Sequence, residues 1–246
     1  MMVLTSSTTE PRISVQPGFE WDGQDAYLFD IDGTLLRSSD TVHYDSFASS
    51  VQRITGFEVT LAGIQLAGST DTAILREACR QAGVPAAELE KHIDAILEAM
   101  CAGVAERRSE LRLVLMPGVE DTLHYLAERG ALLGVATGNL EMIGWIKIEQ
   151  AGLREWFRFG GFSDRFPVRS ELIAQAAEKA REMAGNSARI CVVGDTPRDI
   201  EAARANSLPV ISVATGHFSF EELLAHDPEV CATSLADLKA LTARKS

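Results

Sequence analysis

The chain has 246 residues, of which 46% are hydrophobic and 24% charged, and its formal net charge at pH 7 is −12. This composition is typical of a globular protein with one large hydrophobic core and room for a second, smaller one. The negative charge disfavours nucleic acid and anionic membranes as partners, because both bind basic surfaces. A small anionic substrate stays possible, because a few local cations are enough to bind one.

The cysteines and the first 20 residues indicate the compartment. The cysteines are far apart and form no CxxC motif, so we expect neither a zinc site nor a disulfide framework, and a reducing cytoplasm is favoured. They are Cys79, Cys101, Cys191 and Cys231. Residues 1–20 lack the basic and apolar segments of a signal peptide and are predicted to be a flexible polar tail. No apolar run reaches the ~20 residues that a membrane-spanning helix needs.

The first predicted strand is followed by a long helical segment. The strand is the apolar run AYLFDIDGT at 26–34. Helical patterns then follow at 41–55, 70–82 and 86–107. No convincing strand interrupts them, although residues 57–64 are ambiguous. We interpret residues 37–113 as an all-helical domain, called the insertion below, that leaves and rejoins the rest of the chain through short linkers.

After the insertion, strands and helices alternate. Apolar runs rich in strand formers occur at 131–139 and 189–197, with shorter ones at 157–162 and 208–214. Helical patterns separate or follow them at 118–129, 140–151, 170–184 and 197–206. This alternation predicts βαβ units and an α/β core with a parallel sheet. We assign the core to residues 21–36 and 114–246.

The first strand ends on two carboxylates. Asp30 still lies within the apolar run, so a simple Asp-Gly turn accounts for Asp32 but not for Asp30. A calcium loop starting at Asp30 fails, because its sixth and twelfth positions are Leu35 and Thr41 rather than Gly and Glu. Two crowded carboxylates require a nearby cation or a proton, and Mg²⁺ takes such oxygen ligands.

The next residues suit a bound ligand. Gly33 would let the backbone approach it closely, and Thr34 offers a hydroxyl. Polar clusters also end the strands at 131–139 and 189–197, and ligands of parallel sheets bind at these carboxyl ends. We therefore expect the three clusters to form one site.

The motif DIDGT resembles motif I of the haloacid dehalogenase-like hydrolases. That family ends its second core strand on Ser or Thr, and GVATGN supplies Thr137. Thr137, Gly138 and Asn139 precede a predicted helix, where a hydroxyl and free N–H groups bind anions. An alternative is that Asn139 merely caps this helix.

A later segment, VVGDTPRD, resembles motif IV of the same family. Asp195 follows the strand and is the expected metal ligand. Thr196 and Pro197 are typical of the start of a helix, which puts Asp199 at the position of a capping box. Asp199 is therefore either a capping residue or a further metal ligand.

The family places a basic residue before motif IV, and three arginines are candidates here. We choose Arg169, because it immediately precedes a helical pattern. A cation at a helix N-terminus is unfavourable with respect to the helix dipole, so an anion nearby would explain its position. Arg165 is the second choice, and Arg158 the third candidate. An ordinary surface arginine is the alternative for each.

The resemblance implies a Rossmann-like core with helices on both faces, a small helical cap of the C1 class, and a phosphatase mechanism. Asp30 would be the nucleophile, and Asp32 the general acid and base, with a pKa raised by local charge and burial. Mg²⁺ would bind Asp30, Asp195 and the backbone carbonyl of Asp32. Thr137 and Arg169 would stabilise the phosphoryl oxygens. The expected substrate is a small phosphorylated metabolite.

The insertion segment QLAGSTDTAIL resembles phosphoglycolate phosphatase-like members of the family. Ser69 and Thr70 could contact substrate there, although capping of the next helix is favoured for both. A sugar phosphomutase and, in another class, a non-catalytic phosphometabolite-binding protein are the remaining alternatives. A carbon–halogen hydrolase is disfavoured because Asp32 and the GDTPRD cluster are present.

Overall fold

The structure is a computed structural model that describes residues 12–242, so residues 1–11 of the expected tail lie outside it. Nine strands are described: β1 (Ile13–Val15), β2 (Ala26–Phe29), β3 (Leu36–Ser38), β4 (Leu113–Leu115), β5 (Leu132–Ala136), β6 (Phe159–Gly161), β7 (Ile190–Gly194), β8 (Val210–Val213) and β9 (Val230–Ala232). Seven of them form one sheet in the order β1-β9-β8-β7-β2-β5-β6.

The helices within residues 12–242 are α1 (Val42–Thr55), α2 (Asp71–Gln81), α3 (Ala86–Glu106), α4 (Val119–Glu128), α5 (Glu141–Gln150), α6 (Arg169–Ala184), α7 (Pro197–Ala205), α8 (Phe220–Leu224) and α9 (Lys239–Thr242). Short 3-10 helices span Arg108–Glu110, Arg154–Trp156 and Leu235–Leu238. None of these helices has both the length and the apolar character that a membrane crossing requires.

Strand β2 is central because both of its neighbours, β5 and β7, run parallel to it. Its four residues are all buried, as expected for a strand covered on both faces. Alternation along the strand sends Tyr27 and Phe29 into one hydrophobic cluster, and Ala26 and Leu28 into the other. The predicted α/β fold with a mostly parallel sheet is confirmed.

Part of the predicted tail is a strand. Residues Ile13–Val15 form β1, which pairs antiparallel with β9 at the edge of the sheet. The prediction of a tail over 1–20 was therefore wrong for these residues. A strand of three residues gives too short an alternation to stand out from a polar segment.

The insertion contains helices α1, α2 and α3, which share a hydrophobic cluster with residues such as Phe47, Leu75 and Met100. Residues 57–64 form no strand. The linkers at its two ends are not plain loops, because β3 and β4 pair antiparallel there. This small sheet was not predicted from the sequence.

Candidate active site

The carboxyl ends of β2, β5 and β7 open into a cavity of about 510 Å³. Most of the residues predicted for the site line it. They are Asp30, Asp32, Gly33, Ser69, Thr137, Gly138, Asn139, Arg169 and Asp195. The three polar clusters found in the sequence therefore meet, because parallel strands present their carboxyl ends at one edge of the sheet.

Asp30 is buried directly after β2. Its backbone N–H donates to the carbonyl of Val193 over 2.9 Å, which ties it to the end of β7. Arg169 Nη2 lies 2.7 Å from Asp30 Oδ2. Burial raises the pKa of Asp30 to about 6, the charges of Asp199 and Asp32 add to this rise, and Arg169 opposes it. Burial and the neighbouring acids therefore outweigh the effect of Arg169 on the pKa of Asp30.

Asp195 is held by the loop that follows β2. Thr34 Oγ1 donates to Asp195 Oδ1 over 3.0 Å, and Thr34 itself is fully buried. Gly33 has φ of +90°, and a Cβ there would collide with the Asp195 carboxylate. Burial raises the pKa of Asp195 well above its ordinary value. Gly33 thus allows a close approach to Asp195, whereas its expected approach to a ligand stays a prediction. Thr34, predicted to bind substrate, donates to Asp195 and orients it.

Asp199 completes a capping box at the start of α7. Its Oδ2 accepts from the N–H and the hydroxyl of Thr196 over 3.0 and 2.7 Å. Its Oδ1 accepts from Arg169 Nε over 2.8 Å. Both carboxylate oxygens are therefore engaged, and the capping alternative for Asp199 is observed.

The buried acids fit a divalent cation. Carboxylate oxygens of Asp30, Asp195 and Asp199 lie within 4.8 Å of one another. All three side chains are buried, and oxygen donors of this kind suit Mg²⁺. Both carboxylate oxygens of Asp199 already accept hydrogen bonds, so Asp30 and Asp195 would be the better ligands. The side chain of Asp32 lies outside this group.

Asp32 instead pairs with a lysine that the sequence analysis missed. Lys147 Nζ donates to Asp32 Oδ1 and Oδ2 over 2.9 and 2.7 Å and to Asn139 Oδ1 over 2.8 Å. These contacts use all three donors of the ammonium group. The Lys147 side chain is 3% exposed, whereas that of Asp32 is 43% exposed.

This pairing corrects the expected pKa of Asp32. Burial favours the neutral form, but the charge and hydrogen bonds of Lys147, with a hydrogen bond from Asn139, hold the pKa of Asp32 below its ordinary value. We expected the opposite direction because no cation had been placed beside Asp32. The resting form of this carboxyl group is the carboxylate.

The sequence contained one indication that Lys147 has a charged partner. It lies four residues after Ile143 and beside Ile148, on the buried face of α5. A lysine on the apolar face of a helix is seldom buried without a charged partner.

Asn139 links Asp32 to the end of β5. Its Nδ2 donates to Asp32 Oδ2 over 2.8 Å and to Thr137 Oγ1 over 2.7 Å. It does not cap α5, whose N-cap residue is Leu140. The capping alternative for Asn139 is therefore wrong, because its amide is committed to the site.

The insertion contacts the core beside this site. Gly138 O accepts from the N–H of Asp71 over 2.7 Å, and a Cβ on Gly138 would collide with the carbonyl of Ser69. Thr70 is the N-cap of α2 and also donates to the carbonyl of Pro167 over 2.7 Å. Ser69 lines the cavity and accepts from Arg198. The predicted capping role of Thr70 is thus observed, whereas Ser69 does not cap α2.

The two leading candidates for the basic residue occupy different places. Arg169, at the start of α6, is buried and pairs with both Asp30 and Asp199. Its Nη2 makes these contacts as ion pairs rather than as well-aligned hydrogen bonds. Arg165 is exposed and does not line the cavity. The acids next to Arg169 offset its unfavourable position at a helix N-terminus.

Comparison with known proteins identifies the family of this chain. The sequence profile of the haloacid dehalogenase-like hydrolases matches residues 24–206. A phosphoglycolate phosphatase of Agrobacterium fabrum (strain C58) is 27% identical over 222 residues, covering 87% of this chain and 89% of that protein. Another from Xanthomonas campestris pv. campestris (strain 8004) is 30% identical over 206 residues, covering 78% and 84%.

A solved structure shares the fold. It is that of a predicted phosphoglycolate phosphatase from Haemophilus somnus, with a TM-score of 0.61 and 19% identity over 89% of this chain and 98% of that one. The profile covers well over half of the chain and includes all three strand-end clusters. The chain is therefore a hydrolase that belongs to the haloacid dehalogenase-like family.

Proposed function

We propose that this protein is a Mg²⁺-dependent phosphatase that hydrolyses a small phosphomonoester through a phosphorylated Asp30. The observation that carries this proposal is the contrast between two carboxylates two residues apart. Asp30 lies among buried acids with a raised pKa, whereas Asp32 is paired with Lys147 and has a lowered pKa. Two acids in different settings across one cavity support two different catalytic roles.

Asp30 suits nucleophilic attack on phosphorus. Its oxygen would form a bond to phosphorus as the bond to the leaving oxygen breaks, giving an acyl phosphate. Arg169 contacts Asp30 directly, and Thr137 Oγ1 lies at the end of the neighbouring strand. Both would stabilise the charge on the phosphoryl oxygens.

The proton transfers belong to Asp32 together with Lys147. In the first step the leaving oxygen takes a proton from this pair. In the second step water attacks phosphorus and gives its proton to the Asp32 carboxylate, which releases phosphate and restores Asp30. Because Lys147 favours the carboxylate form, Asp32 can accept a proton as a base. When Asp32 acts as an acid, it depends on Lys147 for the proton.

Asp30, Asp195 and the backbone carbonyl of Asp32 would hold Mg²⁺. When bound, the ion would supply positive charge that offsets the negative charges of the nucleophile and the phosphate. We assign Asp199 to the positioning of Arg169, because one of its oxygens accepts from that side chain and the other from Thr196.

The site and the relatives support a class of substrate and a location. Two relatives of similar length are phosphoglycolate phosphatases, which supports a small phosphomonoester as substrate. We further propose that the insertion is a cap that excludes water from the cavity. Four free, buried cysteines suit a reducing cytoplasm.

Phosphate release from nitrophenyl phosphate and a panel of small phosphomonoesters tests this proposal. The wild type should release phosphate only with Mg²⁺, and Asp30→Asn should lose this activity. Asp94→Asn, at an exposed site on α3, is the matched control and should retain it. Retained turnover in Asp30→Asn would contradict the proposal. Sugar phosphate isomerisation that requires a sugar bisphosphate would instead identify a phosphomutase.

A further inference from the structure

The part of the cavity that the insertion lines contains aromatic rings. His43, Tyr44 and Phe47 of α1 line it. The His43 and Tyr44 rings are stacked at 11° with centroids 6.3 Å apart, and the His43 and Phe47 centroids are 5.4 Å apart. Tyr44 lines the cavity and is 48% exposed. Such a surface favours a leaving group that presents a ring face.

Charges in this part of the cavity disfavour a leaving group that carries a carboxylate. None of the described lining residues on α1, on α2 or in the loop between them is a lysine or arginine. His43 Nε2 lies 3.1 Å from Asp71 Oδ2 and is already engaged with that carboxylate. Lys147 and Arg169 are committed to Asp32 and to Asp30 with Asp199. Arg37 of β3 is the further arginine among the described lining residues, and it donates to the carbonyl of Thr215 over 3.1 Å. A carboxylate beside α1 and α2 would therefore have no lysine or arginine of those elements as a partner.

Hydroxyl groups, in contrast, would find an acceptor. Asp71 lines the cavity, and its Oδ2 accepts from the N–H of Leu140 over 2.9 Å and contacts His43. Its Oδ1 makes no hydrogen bond to any residue of the described part of the chain. A carboxylate oxygen with spare lone pairs accepts hydroxyl donors and repels carboxylates.

The size of the cavity agrees with a ring. Its volume of about 510 Å³ falls within the range of roughly 300–1,000 Å³ that encloses ligands much larger than a two-carbon phosphate ester. A glycolate leaving group would leave most of this space to water.

From these four observations we propose that the substrate is a phosphorylated sugar whose leaving group is an uncharged, hydroxylated ring. The ring packs on Tyr44 and His43, and a ring hydroxyl donates to Asp71 Oδ1. This inference rests on the proposed phosphatase function. It departs from phosphoglycolate, the substrate in the names of the relatives.

The first test compares two substrate classes with the wild-type chain in Mg²⁺. One class is phosphate esters of glucose, fructose and ribose, and the other is phosphoglycolate and phosphoglycerate, with nitrophenyl phosphate as the general control. The best sugar phosphate should exceed both carboxylate substrates in kcat/KM by about tenfold or more. A preference for phosphoglycolate would overturn the inference while leaving the phosphatase intact.

Other outcomes separate the two proposals further. Hydrolysis of nitrophenyl phosphate without hydrolysis of any sugar phosphate would overturn the sugar assignment alone. No hydrolysis of any ester would overturn the phosphatase proposal itself. Phosphoglycolate hydrolysis that is lost in Arg37→Ala would overturn the inference and identify this exposed, cavity-lining arginine as the carboxylate partner.

The second test removes the exposed ring. Tyr44→Ala should lower kcat/KM for the best sugar phosphate roughly three- to tenfold, mainly through KM, and should lower it less for phosphoglycolate. Tyr44→Phe should restore the sugar activity because it keeps the ring. Met183→Ala, an equally exposed site on α6 outside the cavity, is the matched control. Equal losses on both substrates, or no loss, would overturn the role of Tyr44.

Discussion

At the scale of single residues, the sequence predicted the acids better than the cations. Asp30, Asp32 and Asp195 could be placed because each follows an apolar strand, and the carboxyl ends of parallel strands converge. Lys147 could not be placed in the same way, because it lies in the middle of a helix far along the chain from Asp32. The local pattern places Lys147 on the buried face of α5, but its partner depends on how that helix packs in the folded chain.

Replacing Lys147 tests its effect on Asp32. Lys147→Met keeps the length of the side chain but removes the charge that lowers the pKa of Asp32. We expect kcat to fall by roughly 10²-fold, the lower end of general acid–base contributions, with a smaller change in KM. Because the pKa of Asp32 rises in the variant, the acidic limb of its pH–rate profile should move to higher pH.

The control for this variant is Lys91→Met, at an exposed position of α3. It should leave both the rate and the pH profile as in the wild type. An unchanged acidic limb in Lys147→Met, measured on a variant with native circular dichroism, would contradict the assigned coupling.

At the scale of elements, hydrophobic periodicity predicted helices α1 to α7 to within one residue at each end, and helix-start residues account for several boundaries. Thr196 and Asp199 form the capping box that the sequence indicated for α7. The short strands were harder to predict, because β1, β3, β4 and β9 have three residues each. Their existence depends on partners distant in sequence rather than on local pattern.

The N-cap of α2 gives a stability prediction at this scale. Thr70 accepts from the N–H of Ala73 and donates to the carbonyl of Pro167. Thr70→Ala should lower the free energy of unfolding by about 1–2 kcal/mol, measured by urea denaturation. Thr41→Ala is the matched control, since Thr41 is the N-cap of α1 but its side chain caps no backbone N–H. An equal loss in both variants would contradict the capping argument.

At the scale of the whole molecule, the alternation of strands and helices was enough to predict a parallel sheet with an active site at one edge. The same sheet concentrates negative charge at that edge. Burial raises the pKa of Asp30 from its ordinary 3.8 to about 6 and also raises the pKa of Asp195. The fold therefore tolerates these acids at a cost in stability that a bound cation would relieve.

This cost predicts how pH and Mg²⁺ affect thermal stability. Between pH 3.8 and about 6 the folded protein holds a proton on Asp30 that the unfolded chain releases. The Asp30 contribution to stability without metal therefore falls as pH rises through this window. Mg²⁺ competes with that proton, so it should raise the Tm more at about pH 7.5 than at about pH 5.

Calorimetry with and without Mg²⁺ at the two pH values measures this effect. Asp30→Asn removes the titrating carboxyl group. In this variant the Mg²⁺-dependent rise in Tm should differ less between the two pH values. An equal Mg²⁺-dependent rise in Tm at both values in the wild type would contradict the proposed link between the acids and the metal.

The central claim is that Asp30 itself carries the phosphoryl group, and mass spectrometry of acid-quenched enzyme tests it most directly. The wild type is mixed with Mg²⁺ and its best phosphomonoester, quenched within the first turnovers and digested. We predict a phosphoryl group on the peptide that contains Asp30, and none in Asp30→Asn. A phosphoryl group on another residue, or direct transfer to water shown by phosphate release from Asp30→Asn, would contradict the account.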